Sequence, residues 1–207
     1  MKKLFLSSSF VDVAEYLEPF VGQKIKGKTI TFIPTASIPE EYKDYVKNDR
    51  KAFENLGLIV QDLEISTASQ EKIKETIEKN DFIYVSGGNT FYLLQELKKS
   101  KTDKIIVSEI EKGKIYIGAS AGSVIMSKNI KYLEKMDDKT KAEKLTNYNA
   151  LNVVEFYPLP HHTNEPFKKS VEEVIEEFGN KIKLIPISNT QVIQVVGIEK
   201  SIVGNKN

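Results

Sequence analysis

One segment constrains the fold of this chain more than any other, because it passes from an apolar run through a small-residue turn into a helix-compatible stretch. Residues 115–117 read Ile-Tyr-Ile, residues 118–122 read Gly-Ala-Ser-Ala-Gly, and residues 123–126 read Ser-Val-Ile-Met. A serine inside Gly-x-Ser-x-Gly, between a strand and a helix, is typical of a nucleophile elbow, whose strained turn lifts the hydroxyl above the carboxyl end of a sheet. The segment therefore predicts that Ser120 is a nucleophile at a sheet edge.

The small residues around this serine are expected for steric and electrostatic reasons. A Cβ at Gly118 or Gly122 collides where strand and helix approach closely, and the turn demands unusual backbone angles. The helix that follows directs its N-terminus at the site, which favours negative charge there. We therefore expect the backbone amide of Ala121 to donate to a developing oxyanion.

Strand-like and helix-like segments alternate along the rest of the chain with short joins. Strands are predicted at residues 4–6, 29–33, 58–65, 82–85, 115–117, 153–156 and 182–187, with an antiparallel pair at 192–196 and 201–203. Helices are predicted at residues 13–21 behind an Asp12 cap, 37–57 behind a Ser37 and Glu40 capping pair, 69–79, 91–97, 104–112 and 167–179. This pattern favours a mainly parallel sheet with helices on both faces and an active site beyond the carboxyl ends of the strands. Residues 128–150 are polar and weakly patterned, which predicts irregular covering structure or a flap.

The composition is that of a globular protein and excludes several classes of function. A chain of 207 residues with 40% hydrophobic content fits a single domain, residues 1–207, with a sizeable core. A net charge of +1 with interspersed charges predicts neither nucleic acid nor a membrane surface as a partner. The chain has no cysteine, which excludes thiolate chemistry, and Arg50 is its single arginine, which almost excludes bidentate carboxylate clamps. Without a signal-like or membrane-spanning run, a cytoplasmic location is expected.

The chain has two histidines, and they are adjacent in a loop after the strand predicted at residues 153–156. Serine is a weak nucleophile without a base to take its proton, so a working elbow needs His161 or His162 within hydrogen-bond reach. Either residue can instead be a packing or capping histidine. Because the chain lacks a His-x3-His spacing and an obvious third ligand nearby, we expect no metal site.

A second glycine-rich turn, Gly-Gly-Asn-Thr at residues 87–90, follows the strand predicted at 82–85. Such residues often form only a turn and a helix cap. Beside the elbow on the next strand, however, Gly88 can bring a bare backbone amide to the nucleophile and supply the second oxyanion donor.

Taken together, these segments resemble the dipeptidase E and cyanophycinase family of serine peptidases. The shared motifs fall in the family's order and spacing and are Phe-Ile-Pro at 32–34, Gly-Gly-Asn-Thr-Phe at 87–91, Tyr-Ile-Gly-Ala-Ser-Ala-Gly at 116–122 and Pro-His-His-Thr-Asn at 160–164. The resemblance implies an α/β three-layer sandwich of the class I glutamine amidotransferase-like, flavodoxin-like type. It also implies a cofactor-free serine hydrolase that acts on small peptides through an acyl-enzyme.

The resemblance assigns roles by position. Ser120 matches the family's nucleophile and His161 its base, with the amides of Gly88 and Ala121 as oxyanion donors. The family's third triad member is acidic, whereas the matching position here is Asn189. An amide orients an imidazole but does not stabilise imidazolium by charge.

Other side chains complete the expected site. Carboxylates that can replace the missing acid are Glu165, Asp137 and Asp138. Substrate contacts are expected from the motif residues Asn89, Thr90, His162 and Asn164. The family's arginine after the histidine motif is absent from Glu-Pro-Phe-Lys-Lys at residues 165–169, so the resemblance implies the family's reaction on a substrate other than aspartyl peptides.

Two other functions are compatible with parts of the sequence. An esterase or amidase of the α/β-hydrolase type shares the elbow, but that fold places its histidine near the C-terminus, whereas 46 residues follow His161 here. A non-catalytic binding or regulatory module with an amidotransferase-like fold is favoured by Asn189 and the missing arginine. Either a monomer or a homodimer is expected.

Overall fold

A computed structural model of the protein describes residues 1–205 and has a seven-stranded sheet at its centre. The strands are, in chain order, β1 (Lys3–Ser7), β2 (Thr29–Ile33), β3 (Ile59–Asp62), β4 (Phe82–Val85), β5 (Ile115–Ala119), β6 (Tyr157–Leu159), β7 (Leu184–Pro186), β8 (Gln191–Val196) and β9 (Glu199–Gly204). The order in the central sheet is β3-β2-β4-β5-β1-β8-β9, while β6 and β7 pair in parallel as a separate sheet. The first five strands of that order run parallel, and β8 and β9 add the predicted antiparallel pair.

The helices that join these strands are short or of medium length. They are α1 (Leu17–Val21), α2 (Asp44–Asn55), α3 (Gln70–Lys79), α4 (Thr90–Ser100), α5 (Thr102–Glu111), α6 (Ala121–Val124) and α7 (Lys168–Phe178). Short 3-10 helices lie at Val11–Tyr16, Thr35–Ser37, Lys131–Leu133 and Lys139–Ala142. Within residues 1–205, no helix has both the length and the apolarity that crossing a bilayer requires.

Successive residues of the central strands face opposite sides of the sheet and enter different core clusters. Leu4 and Leu6 of β1 belong to one cluster and Phe5 to the other, and Ile83 and Tyr84 of β4 divide in the same way. Helices α3, α4 and α5 cover the first cluster, while α1 and α2 cover the second. The predicted arrangement, a mainly parallel sheet between two layers of helices, is therefore confirmed.

Residues 128–150 pack against helices α4, α6 and α7. They contain only two 3-10 helices and an isolated bridge between Asn129 and Asn149, which confirms the predicted irregular structure. Ile130, Tyr132 and Leu133 are nevertheless buried in a third apolar cluster with residues of α4, α6 and α7. The segment is thus packed on the domain and not suspended above it.

The strand predicted at residues 153–156 is wrong, because strand pairing begins only with β6 at Tyr157–Leu159. The amides of Val153 and Val154 donate instead to the carbonyl of Met126, at 2.9 and 3.1 Å. Hydrogen bonds to Met126, two residues after α6, therefore replace strand pairing here, and apolar periodicity does not reveal them.

Two predicted helix starts are also wrong. Helix α2 begins at Asp44 and not at Ser37, because Ser37 lies in a 3-10 turn and its hydroxyl donates to the carbonyl of Pro34 at 2.8 Å. Asp12 lies inside the first turn of its 3-10 helix, whose N-cap residue is Phe10, and makes no capping hydrogen bond. In both places a local turn takes precedence over the capping pattern.

Candidate active site

Ser120 lies at the turn between β5 and α6, in the middle of the sheet's carboxyl edge. Its backbone angles, φ 46° and ψ −110°, fall in a region that costs a non-glycine residue about 1 to 3 kcal/mol. The amide of Ser120 donates to the carbonyl of Ser7 at 2.9 Å, and its carbonyl accepts from Ser123 at 2.8 Å. Neighbouring backbone on both sides therefore holds the strained turn that the sequence predicts.

The two glycines of the turn are required by close packing. A Cβ on Gly118 would lie 2.6 Å from the carbonyl carbon of Gly122, and a Cβ on Gly122 would lie 2.1 Å from the carbonyl oxygen of Val85. Both distances are far below a normal contact and involve backbone atoms. The steric prediction for these positions is confirmed.

His161 follows β6 and reaches Ser120 from a different sheet. Its Nε2 lies 3.0 Å from Oγ of Ser120, and its Nδ1 lies 2.8 Å from Oδ1 of Asn189. Because an amide oxygen only accepts, Nδ1 carries the proton and donates to Asn189, which leaves Nε2 as the acceptor that faces the serine hydroxyl. The structure thus joins Ser120, His161 and Asn189 in one hydrogen-bonded chain.

The imidazole is fixed in place by its surroundings. The amide of His161 donates to Oγ of Ser8 at 3.1 Å, and the ring stacks on Phe167 with centroids 4.6 Å apart. Burial lowers the pKa of His161, and the hydrogen bond to Asn189 opposes part of that effect. The ring is consequently neutral at physiological pH, which is the state in which Nε2 can accept a proton.

The loop after β4 borders the serine turn. A Cβ on Gly87 would lie 3.2 Å from Cβ of Ser120, and a Cβ on Gly88 would lie 2.2 Å from the carbonyl oxygen of Ala36. Gly88 also has a φ of 132°, which side chains rarely adopt. Within residues 1–205, the amides of Gly88 and Ala121 donate to no acceptor. A role for these two amides as oxyanion donors stays a prediction.

Comparison with known proteins identifies the family of the chain. The sequence model described as "Peptidase family S51" matches residues 4–203. The chain belongs to peptidase family S51.

Individual relatives agree with this assignment. The chain is 53% identical over 195 residues to an uncharacterized peptidase of Listeria innocua, with 94% of this chain and 93% of that protein covered. It is 28% identical to a peptidase E of Nostoc, over 99% of this chain and 87% of that protein. The crystal structure of a protein assigned as peptidase E from Listeria monocytogenes EGD-e superimposes with a TM-score of 0.95 at 50% identity, over 100% of both chains. The family resemblance and the amidotransferase-like α/β fold are confirmed, and the activity at the level of the family is that of a peptidase, a hydrolase.

Two residues expected to contact substrate in this S51 chain are used for structure. Oδ1 of Asn89 caps α4 by accepting from the amide of Tyr92 at 2.9 Å, and its Nδ2 donates to the carbonyl of Asp138 at 2.9 Å. The amide of Thr90 donates to Oδ2 of Asp137 at 2.8 Å. The start of α4 is thereby tied to the covering segment 128–150, and a substrate contact from either side chain stays a prediction.

The other two expected contacts lie on the histidine loop. Oδ1 of Asn164 accepts from the amide of Asn189 at 2.9 Å, so Asn164 holds the residue that accepts from His161. The ring of His162 is 34% exposed and lies 3.6 Å from Glu172, in a contact that attracts only when the histidine is protonated. Of the two histidines, His161 is thus the one that meets the hydroxyl of Ser120.

The three carboxylates considered for the triad do not occupy the triad position, because Asn189 already bonds Nδ1 of His161. Asp137 accepts from the amide of Thr90, the first residue of α4, and Asp138 accepts from the amide of Thr140 in a 3-10 helix. Glu165 is exposed. In the part of the chain that the structure describes, no group of three or more candidate ligands is arranged to hold a metal ion.

Sequence reasoning missed several residues that build the site. Ser8 and Phe167 contact His161, and neither belongs to a recognisable catalytic pattern. Gly87, where an added Cβ would lie 3.2 Å from Cβ of Ser120, belongs to the 87–91 motif, but no role was predicted for it. The signal available for Ser8 was the small-residue loop directly after β1, since that loop and the elbow lie at the same sheet edge.

Proposed function

We propose that the protein is a serine peptidase that hydrolyses dipeptides or other short peptides through an acyl-enzyme on Ser120. The observation that carries the proposal is the hydrogen-bonded chain from Oγ of Ser120 through His161 to Asn189, at 3.0 and 2.8 Å. This geometry meets the requirement that a nucleophile and its base lie within hydrogen-bond reach, with a third group that orients the base.

In the proposed reaction, Oγ of Ser120 attacks the scissile carbonyl while Nε2 of His161 takes the hydroxyl proton. Negative charge on the carbonyl oxygen is met by the amides of Gly88 and Ala121, each worth about 3 to 4 kcal/mol in comparable sites. His161 then gives the proton to the leaving amine, and the acyl-enzyme forms. A water molecule, activated by the same imidazole, releases the acid and restores the serine.

Asn189 distinguishes this site from one with an acidic third member. Its oxygen holds the productive tautomer of His161, but it adds no negative charge to stabilise imidazolium. Burial lowers the pKa of His161, so the base is available without deprotonation at neutral pH. The expected consequence is a working but slower base than a carboxylate partner gives.

The covering segment supports a small substrate. Residues 128–150 are tied to the loop beside Ser120 by the Thr90 to Asp137 and Asn89 to Asp138 hydrogen bonds. We expect a segment held at this edge to admit a short peptide to Ser120 and to exclude a folded protein. Arg50 is bonded to Glu54 and Asp62, so it does not offer a clamp for an aspartyl side chain.

The proposal is tested with a dipeptide library and purified protein. Wild-type protein is expected to release free amino acids from at least one class of dipeptide, and Ser120→Ala is expected to abolish turnover while keeping the thermal unfolding midpoint. Ser201→Ala, a change at an exposed serine of β9, serves as the matched control and is expected to retain full turnover. Turnover retained by Ser120→Ala rejects the serine mechanism, whereas no turnover by any protein favours the non-catalytic module.

A further inference from the structure

The proposed nucleophile and its base belong to different sheets, so contacts other than strand pairing set the distance between them. Ser120 follows β5 of the central sheet, whereas His161 follows β6, which pairs with β7 in the separate sheet. Two consecutive residues at the end of β1, Ser7 and Ser8, form hydrogen bonds to both parts of the site.

The first of these residues holds the serine turn. The carbonyl of Ser7 accepts from the amide of Ser120 at 2.9 Å and from the hydroxyl of Ser123 at 2.7 Å. The hydroxyl of Ser7 donates to the carbonyl of Gly118 at 3.1 Å. These three hydrogen bonds attach the turn that carries the nucleophile to the last residue of β1.

The second residue holds the base through its backbone. The hydroxyl of Ser8 donates to the carbonyl of Ile187 at 3.0 Å and accepts from the amide of His161 at 3.1 Å. Both directions are fixed, because a carbonyl only accepts and a hydroxyl has a single proton. Ser8 is 3% exposed, so water has little access to either hydrogen bond. This side chain thereby joins the end of β1 to His161 and to Ile187, which lies two residues before Asn189.

The backbone of His161 has a conformation that needs such support. Its φ is 63°, in the left-handed region that residues other than glycine rarely adopt. The amide of His162 donates to the same carbonyl of Ile187 at 3.0 Å. Two consecutive amides of the histidine loop are therefore held at Ile187, one directly and one through the hydroxyl of Ser8.

We propose that Ser8 is a positioning residue of the peptidase reaction, whose hydroxyl sets the place of His161 relative to Ser120. It acts through the backbone amide of His161, while the imidazole forms its own hydrogen bonds to Ser120 and Asn189. Catalysis is sensitive to such placement, since a displacement of about 1 Å costs about 100-fold in rate. This inference rests on the proposed peptidase function and adds a residue outside the four motifs that carry the family resemblance.

The test compares Ser8→Ala with the wild type in dipeptide hydrolysis and in fluorophosphonate labelling of Ser120. We expect kcat to fall about 10- to 30-fold with KM unchanged, because the base is displaced while the contacts to the substrate are kept. The rate constant of labelling is expected to fall by a similar factor. The acid limb of the pH profile of kcat/KM is expected to stay in place, since the imidazole of His161 keeps its hydrogen bond to Asn189.

Two control variants separate positioning from stability. Thr31→Val removes a buried hydroxyl of β2 that likewise donates to a carbonyl, that of Thr76 at 3.2 Å, and accepts from Nδ2 of Asn80 at 2.9 Å. Its thermal unfolding midpoint is expected to fall about as far as that of Ser8→Ala, while kcat and the labelling rate stay at the wild-type level. Ser9→Ala, a change at the next residue of the loop, is expected to leave all three measurements unchanged.

A second variant keeps the test decisive if Ser8→Ala does not fold. Ser8→Cys fills the space of the side chain with a group that is only a weak donor and a weak acceptor. It is expected to show the same losses of kcat and of labelling rate.

The outcomes distinguish failure of this inference from failure of the peptidase proposal. If wild-type protein is active and labelled but the Ser8 variants keep its kcat and labelling rate, the positioning role is rejected and the peptidase proposal stands. Losses in Ser8→Ala that Thr31→Val matches also reject the positioning role, because reduced stability then accounts for them. A wild-type protein that is neither labelled nor active rejects the peptidase proposal, and the positioning role with it. Slower turnover and labelling confined to the Ser8 variants, with KM unchanged, support the positioning role.

Discussion

Replacing Asn189 by aspartate measures how much a charged partner would raise the pKa of His161 and the rate of the proposed reaction. Oδ1 of Asn189 lies 2.8 Å from Nδ1 of His161, so a carboxylate of the same shape places opposite charges about 4 Å apart during proton transfer. At an effective dielectric constant of about 20, that attraction is worth about 4 kcal/mol. Burial of the new carboxylate offsets part of it, and we expect a net rise in the pKa of His161 of about 1 to 2 units.

The assay is the pH dependence of kcat/KM for a dipeptide substrate, whose acid limb reports the base of the free enzyme. The wild-type limb is expected below about pH 6.5, because burial lowers the pKa of His161. In Asn189→Asp the limb moves up by about 1 to 2 units, and the plateau rises about 10- to 100-fold because imidazolium is stabilised in the transition state. Asn189→Ala, the control, lowers the plateau without an upward shift of the limb. An Asn189→Asp variant with an unchanged limb and plateau refutes the assignment of Asn189 as the partner of the base.

Three further predictions concern stability and positioning. Burial raises the pKa of Asp49 from 3.8 to about 7, although hydrogen bonds from the hydroxyl of Tyr84 and the amide of Val11 oppose the rise. The stability that Asp49 contributes is therefore complete below about pH 4 and is lost as pH rises through 7. Relative to the Asp49→Asn variant, the wild type should lose about 4 kcal/mol of unfolding free energy between pH 4 and 8 in denaturant titrations, and parallel curves for the two proteins contradict this. Gly122→Ala drives a Cβ to 2.1 Å from the carbonyl oxygen of Val85, so we expect a loss of about 2 to 3 kcal/mol in urea unfolding together with loss of turnover; an unchanged unfolding midpoint opposes the steric account. Asn164→Ala removes the acceptor for the amide of Asn189 and should lower kcat about 10-fold with KM unchanged, whereas a change in KM alone indicates a substrate contact instead.

The parts of the fold that followed from the sequence are those governed by local pattern. The strand and turn around Ser120 could be predicted because Gly118 and Gly122 are needed wherever a strand and a helix approach so closely. The alternation of strands and helices predicted a parallel sheet because each element must bury one face against its neighbours. Both features are encoded within short windows of the chain.

The errors arose where a distant contact, or a competing local hydrogen bond, decides the structure. Val153 and Val154 are typical strand residues, but their amides donate to the carbonyl of Met126. Ser37 is a typical helix-cap residue, but its hydroxyl donates to the carbonyl of Pro34. A single sequence does not display such pairings, because the partners are separated along the chain or compete with an equally plausible local bond.

The measurement that tests the account most directly is fluorophosphonate labelling at neutral pH, with the modified residue identified by mass spectrometry. Wild-type protein is expected to carry one adduct, on Ser120. Labelling should be lost in Ser120→Ala and should slow greatly in His161→Ala, while His162→Ala, the neighbouring histidine directed toward Glu172, keeps the wild-type rate. An unlabelled wild-type protein, or a His161→Ala variant labelled as fast as the wild type, would contradict the claim that His161 activates Ser120.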